Sequence, residues 1–84
     1  RRSRVVLRFS PRASGWAGGQ VWHEDQKTRV LKDGSIELSF TVASFTEVKS
    51  EVLKYGPLVE VVKPKRLRDM IKKVAEELVR LYDK

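Results

Sequence analysis

The stretch DGSIELSFTV, residues 33–42, decides the fold, because its last seven residues alternate between apolar and polar side chains. The two alternating sets are Ile36, Leu38, Phe40 and Val42 on one face and Glu37, Ser39 and Thr41 on the other. Such alternation is typical of a half-buried strand. The Asp33-Gly34 pair just before it favours a tight turn of the hairpin kind. We therefore predict a strand over 36–42 that pairs with the strand preceding it.

Three further strands are predicted around this one. In RVVLRFSP, residues 4–11, the apolar inward set is Val5, Leu7 and Phe9, while Arg4, Val6 and Arg8 point outward. Pro11 ends this strand because proline cannot donate to a ladder. A second strand is predicted over 21–31, before the turn, and LVEVV, residues 58–62, forms a fourth strand that ends before Pro64.

Three helices complete the pattern. Residues 12–19 contain three glycines and predict only a short, weak helix. Ser44 and Glu47 have the spacing of a capping box, which predicts the start of a second helix. This helix ends at Gly56 and Pro57. The apolar face of the second helix is Phe45, Val48, Val52 and Tyr55, and that of a third helix over 65–82 is Leu67, Ile71, Val74, Leu78 and Leu81.

The order β-α-β-β-α-β plus a terminal helix predicts one α+β domain over residues 1–84. Right-handed crossovers place the first and third strands at the centre of an antiparallel sheet with the order 4-1-3-2. Both crossover helices then cover the same face of the sheet. This is the ferredoxin-like arrangement.

Composition and charge limit the classes of function. The 84 residues include no cysteine, and no apolar run approaches the ~18 residues of a membrane span, so we expect a cytoplasmic protein. The net charge is +7 and is concentrated in two clusters. Residues 1–12 hold five arginines and no acid, and residues 63–73 hold six basic side chains against one acid. Such clusters indicate an anionic partner, although solvated side chains that maintain solubility explain the second cluster at least as well.

Enzymatic chemistry is not expected. His23, Glu24 and Asp25 form no usable metal site, because adjacent residues of a strand point to opposite faces. The serines lack the setting of an activated nucleophile, and no glycine loop opens a helix to hold a phosphate. We therefore predict no catalytic residues, no metal and no cofactor.

Two surfaces are candidates for binding. The outward faces of the first and third strands carry Arg4, Arg8, Ser39 and Thr41, which could hold an anionic ligand or an acidic patch of a neighbouring domain. A solvated face with salt bridges, such as one from Arg8 to Glu37, is the alternative. The terminal helix cannot cover this polar face without burying charge. Its stripe therefore packs at the sheet edge, on the other helices or on another subunit, and we expect Leu78 and Leu81 to contribute to self-association.

Four segments together resemble the WCX domain, the C-terminal extension that follows the WYL domain in bacterial transcriptional regulators. They are VVLRFSP at 5–11, VWHEDQK at 21–27, DGSIELSFTV at 33–42 and YGPLVEVVKPKRLRDMI at 55–71. The resemblance implies a C-terminal piece of a larger regulator, which contacts its own WYL domain, forms a homodimer and helps to sense an effector, in some cases a single-stranded nucleic acid. Duplex DNA is then bound only by a helix-turn-helix domain outside this sequence. The family motif selects Trp22, His23 and Gln26, whose role is either structural or effector-facing.

A free-standing nucleic-acid-binding or small-molecule-binding domain of the same fold is the alternative function. An RNA-recognition module stacks bases on aromatic side chains of its central strands. Here Phe9 and Phe40 fall on the inward face by alternation, which disfavours that class.

Overall fold

The computed structural model describes residues 2–13, 15 and 23–83. The strands are β1 (Ser3–Phe9), β2 (Lys27–Val30), β3 (Ile36–Val42) and β4 (Val59–Lys63). The α-helices are α1 (Thr46–Tyr55) and α2 (Lys65–Tyr82), and a 3₁₀ turn, Gly56–Leu58, joins α1 to β4. The described residues thus form an α+β fold, as the sequence predicts.

The four strands form one antiparallel sheet in the order β2-β3-β1-β4. Counted from the β4 edge, this succession reads 4-1-3-2, with β1 and β3 at the centre. The ferredoxin-like arrangement as a whole is not established, because most of the helix predicted over 12–19 lies outside the described residues. Of the three residues of it that are described, Gly15 is helical, whereas Arg12 and Ala13 belong to a turn after β1, in which the Ala13 N–H donates to the Ser10 carbonyl.

The second strand is shorter than the predicted 21–31. Residues 21 and 22 lie outside the described part of the chain, and β2 begins only at Lys27. Residues 23–26 form a turn, closed by a hydrogen bond from the Gln26 N–H to the His23 carbonyl. The expected alternation of His23 to Gln26 across two strand faces is therefore wrong. Hydrogen bonds that Thr41 of β3 donates to the Asp25 carboxylate, described below, hold this segment in a turn.

The predicted hairpin connects β2 and β3. Gly34 has a positive φ of 89°, which L-residues with a side chain seldom adopt. The Asp33 side chain accepts hydrogen bonds from both the N–H and the hydroxyl of Ser35. These local bonds and the glycine conformation fix the point at which the chain reverses.

The core lies on one face of the sheet. Its buried side chains come from alternate positions of β1, β3 and β4, from the turn after β1, from α1 and from the start of α2: Val5, Leu7, Phe9, Ala13, Ile36, Leu38, Phe40, Val48, Val52, Val59, Val61 and Leu67. The Phe9 and Tyr55 rings meet edge to face, with centroids 5.2 Å apart. The prediction that the strand aromatics Phe9 and Phe40 face inward is confirmed.

Helix α1 has the predicted apolar face but not the predicted cap. It begins at Thr46, and the Ser44 hydroxyl accepts a hydrogen bond from the Thr46 N–H instead of reaching one residue further. The Ser44–Glu47 capping box is therefore wrong, because the chain makes a tighter local turn here. Gly56 follows the helix with φ 61°, as expected of a C-terminal glycine.

Helix α2 has the predicted bounds, 65–82. Its first half packs on β4 and α1, with Leu67 fully buried and Met70 and Ile71 against the core. The residues from 75 to 83 are all exposed. The apolar stripe of α2 therefore packs on the core over the first half of the helix and is exposed over the second half. Within the described residues, no helix is both long and apolar enough to cross a bilayer.

Candidate functional site

The outward face of the sheet is the candidate site. Residues that lie opposite each other on neighbouring strands form rows across this face, and the strand register determines which residues share a row. In one row Lys27 lies opposite Ser39 on β3, and Val6 lies opposite Lys63 on β4, because the β1–β4 register shifts by one residue between Val6 and Leu7. In the next row Arg29 lies opposite Glu37. The remaining opposed pairs are Arg4 with Thr41, Val6 with Ser39, Arg8 with Glu37 and Arg8 with Glu60. The buried part of α2 joins the core on the opposite face, so neither described helix covers these rows.

Two of the predicted site residues contact each other directly. The Arg4 guanidinium donates to the Ser39 hydroxyl over 3.0 Å. This bond spans β1 and β3 at the centre of the sheet and leaves the charge of Arg4 uncompensated. Ser39 thereby orients a cation and is itself half-buried.

Arg8 has a different environment from Arg4. Its guanidinium forms an ion pair of 2.9 Å with Asp33 in the hairpin turn. The salt bridge from Arg8 to Glu37 that the sequence suggested is absent, because Glu37 instead pairs with Arg29 over 3.2 Å. Both Arg8 and Arg29 are therefore neutralised by neighbouring carboxylates.

Three cations within the strands of this face lack such compensation. Within the described part of the chain, Arg4, Lys27 and Lys63 have no carboxylate oxygen within 4 Å, and all three are exposed. We call them the free cations. Lys27 and Lys63 were not among the predicted site residues, because only the strand register shows that they lie in one row with Ser39 and Val6.

Thr41 is engaged with the turn at 23–26. Its hydroxyl donates to Asp25 over 2.7 Å, and its N–H donates to the same carboxylate. The Thr41 hydroxyl bond is the main reason that the pKa of Asp25 lies below its usual value. Arg2 donates to the Thr41 carbonyl and to the hydroxyl oxygen. Thr41 is thus a structural connector as well as part of the outward face.

His23 belongs to the same network. Its Nδ1 lies 2.6 Å from Asp25 Oδ1, and its Nε2 lies 3.0 Å from the Arg2 guanidinium. Since arginine can only donate, this arrangement requires Nε2 to accept and Nδ1 to carry the proton. The ring also stacks on Phe40, with an interplanar angle of 9°. These contacts give His23 a structural role in holding the turn.

The predicted group Trp22, His23 and Gln26 is only partly placed. Trp22 lies outside the described residues. His23 and Gln26 are the first and last residues of one turn and are both half-buried. An effector-facing role for the three together stays a prediction.

A cleft of about 770 Å³ lies beside this turn. Arg2 and His23 line it together with residues of α1 that include Glu47 and Glu51. Cations and carboxylates both line it, so it has no consistent preference for an anion. No group of three His, Cys, Asp or Glu side chains suited to a metal ion occurs among the residues that the structure describes.

The predicted self-association residues lie far from the sheet face. Leu78 and Leu81 are both on the exposed end of α2, with 47% and 53% of their surface accessible. Val79 and Tyr82, which the prediction did not include, are more exposed still. Their exposure could not be read from the apolar spacing alone, which continues unchanged from the buried half of the helix.

Comparison with known families agrees with this architecture. The family model described as the WCX domain matches residues 1–79 of the 84-residue chain. The chain belongs to the WCX family. WCX domains are known in WYL-type transcriptional regulators, so the match connects this domain with transcription regulation. No curated protein matches the chain.

Proposed function

We propose that this WCX domain is the C-terminal regulatory module of a WYL-type transcriptional regulator and binds an anionic partner through its outward sheet face. The module is cytoplasmic and non-enzymatic, uses no cofactor, and contacts the WYL domain of the same protein. It also forms a homodimer. For the domain as a whole we propose the ferredoxin-like arrangement.

One observation supports this proposal above the others. The outward face carries the free cations Arg4, Lys27 and Lys63, while the opposite face of the same sheet contains the core. Arg8 and Arg29 on the same face are already neutralised by carboxylates of the chain, whereas the free cations are not. The three that stay unpaired are available for the anionic groups of a partner.

The position of the free cations indicates the kind of partner. Lys27 and Lys63 lie on the two edge strands, and neighbouring strands are about 4.8 Å apart, so the row spans roughly 14 Å across the sheet. An anion with several charges along its length fits this spread better than a small single anion. A single strand of nucleic acid, or an acidic patch of the neighbouring domain, has such charges.

The alternative of a base-reading nucleic-acid module is less well supported. Such modules stack bases on exposed aromatic side chains. Phe9 and Phe40 are buried on the core face, and no aromatic side chain occupies the outward rows of the described strands. Contact with a nucleic acid would therefore involve the phosphates without a preference for sequence. Duplex DNA is read by a helix-turn-helix domain elsewhere in the regulator.

The proposal predicts how binding depends on salt. We would titrate the chain with single-stranded oligothymidylate over a salt series. If the three free cations each neutralise one phosphate, log affinity falls with log salt at a slope of roughly −2. Arg4→Ala combined with Lys27→Ala should reduce the slope to about −0.7, since one phosphate contact then remains. Arg8→Ala should have a smaller effect, because Asp33 already neutralises Arg8.

A matched control separates this effect from a loss of net charge. Lys54 is an exposed cation in the last turn of α1, on the helix side of the molecule. Lys54→Ala combined with Lys49→Ala removes the same charge and should leave the slope unchanged. The thermal midpoint should vary little throughout, since exposed polar contacts contribute less than about 1 kcal/mol. An unchanged slope in the Arg4 and Lys27 variant would contradict the proposal.

A further inference from the structure

The exposed end of α2 is an apolar surface without a partner in its own domain. It comprises Ala75, Leu78, Val79, Leu81 and Tyr82, and we call it the distal surface. Val79 and Tyr82 are 64% and 82% exposed. A shallow depression beside it is lined by Lys72, Ala75, Glu76, Val79 and Arg80. Apolar side chains concentrated on a protruding helix end indicate an interaction surface.

The charges of α2 are distributed against its own dipole. Residues 65–73 hold five basic side chains and one acid, which gives +4, and the first turn has no acidic residue. Residues 76–83 hold three acids and Arg80, which gives −2. Cations at the N-terminus and anions toward the C-terminus are each unfavourable for an isolated helix. When a second helix of the same sequence lies antiparallel to the first and overlaps it over the distal surface, the acidic end of each helix lies beside Lys72 and Lys73, at the edge of the basic half of the other.

We propose that α2 pairs with α2 of a second copy of the chain, in antiparallel orientation, through the distal surface. The twofold axis passes near residues 77 and 78. The inference rests on the homodimer included in the proposed function. It specifies which surface forms the contact and how the two helices are oriented. It does not depend on the sheet face, which lies on a different part of the domain.

The antiparallel orientation makes specific contacts between the two copies. Lys72 lies about as far before the axis as Asp83 lies beyond it, so each Lys72 approaches Asp83 of the other copy. Within one chain the same two residues are eleven positions apart, or about 16 Å along the helix, and cannot pair directly. In a parallel pair each would instead face its own counterpart, lysine against lysine and aspartate against aspartate.

The expected dimer is weak in the isolated domain. About three helical turns from each copy bury less than the roughly 800 Å² per partner of a standard stable complex. Association should therefore be measured at high protein concentration, up to about 1 mM, where an association worth only ~4 kcal/mol is still visible. Sedimentation equilibrium of the whole 84-residue chain is suitable.

A charge exchange tests the orientation. Lys72→Asp and Asp83→Lys each convert two attractive contacts into two repulsive ones, and each should weaken association about tenfold, equivalent to 1.4 kcal/mol. The double variant restores opposite charges and should associate nearly as well as the wild type. Single variants that weaken association without recovery in the double variant would overturn the antiparallel contact.

Two apolar variants test the surface itself. Leu78→Asp and Val79→Asp should each abolish association while the thermal midpoint stays near that of the wild type, since both residues are exposed. Val30→Asp is the matched control, because Val30 is 70% exposed on the edge strand β2 and far from α2 in sequence. A chain that is monomeric at all concentrations, or one that still associates in both α2 variants, would overturn the proposal. Neither result changes the expected salt dependence of oligothymidylate binding, so the two proposals can fail separately.

Discussion

Asp33 shows how one side chain connects the hairpin to the sheet face. Hydrogen bonds from Ser35, with a smaller contribution from Arg8, hold the pKa of Asp33 at about 2, below the usual 3.8. The same carboxylate therefore stabilises the turn and neutralises an arginine that would otherwise be available to a ligand. Neither role could be assigned from the sequence, which indicated only that Asp33-Gly34 forms a turn.

This pKa predicts an acid-dependent loss of stability. Because the carboxylate titrates at a lower pH in the folded chain than in the unfolded chain, its contribution is complete above 3.8 and disappears as the pH falls through about 2. Asp33→Asn should therefore lower the thermal midpoint at neutral pH. The difference in thermal midpoint between the variant and the wild type should become smaller as the pH falls from 3.8 to about 2. Ser35→Ala removes the hydrogen bond that lowers the pKa of Asp33 most. In a Ser35→Ala background the stabilising contribution of Asp33 should therefore be lost at a higher pH. A difference that does not vary with pH would contradict this role.

At the scale of elements, the periodic spacing of apolar side chains predicted one strand and one helix correctly. The β3 alternation and the bounds of α2 follow from the spacing of apolar residues, and both are confirmed. The start of β2 could not be predicted, because the hydrogen bonds that Thr41 donates to Asp25 join residues 16 apart in sequence. The prediction of a Ser44–Glu47 capping box was wrong for a local reason, since the Ser44 hydroxyl accepts its hydrogen bond from the Thr46 N–H and not from the Glu47 N–H.

The hairpin is sensitive to a single methyl group at Gly34. A Cβ on Gly34 would meet Pro11 only at an ordinary contact distance of 3.7 Å, so the positive φ is what disfavours a side chain. Gly34→Ala should destabilise the fold by about 1–2 kcal/mol, the cost of the left-handed conformation. Gly34→Asn should cost less, because asparagine tolerates this region better. Chemical denaturation measures both, and equal stabilities for the alanine variant and the wild type would contradict the argument.

At the scale of the molecule, the two proposed surfaces use different parts of the chain. The sheet face is formed by register across all four strands, and the distal surface by the part of α2 that extends beyond the core. The sequence predicted Arg4 and Ser39 on the same face, which the structure confirms. It could not show that Arg8 is neutralised or that Lys27 and Lys63 are free, because those facts depend on which carboxylate reaches which cation.

Mapping the contact residue by residue tests the central claim most directly. We would record amide chemical shifts of the chain while adding single-stranded oligothymidylate. The outward sheet face is the binding surface if the largest changes occur at Arg4, Lys27, Ser39 and Lys63 and saturate together, with little change along α1. Changes centred on α1 or on the cleft beside it, with the four sheet residues unaffected, would contradict the account.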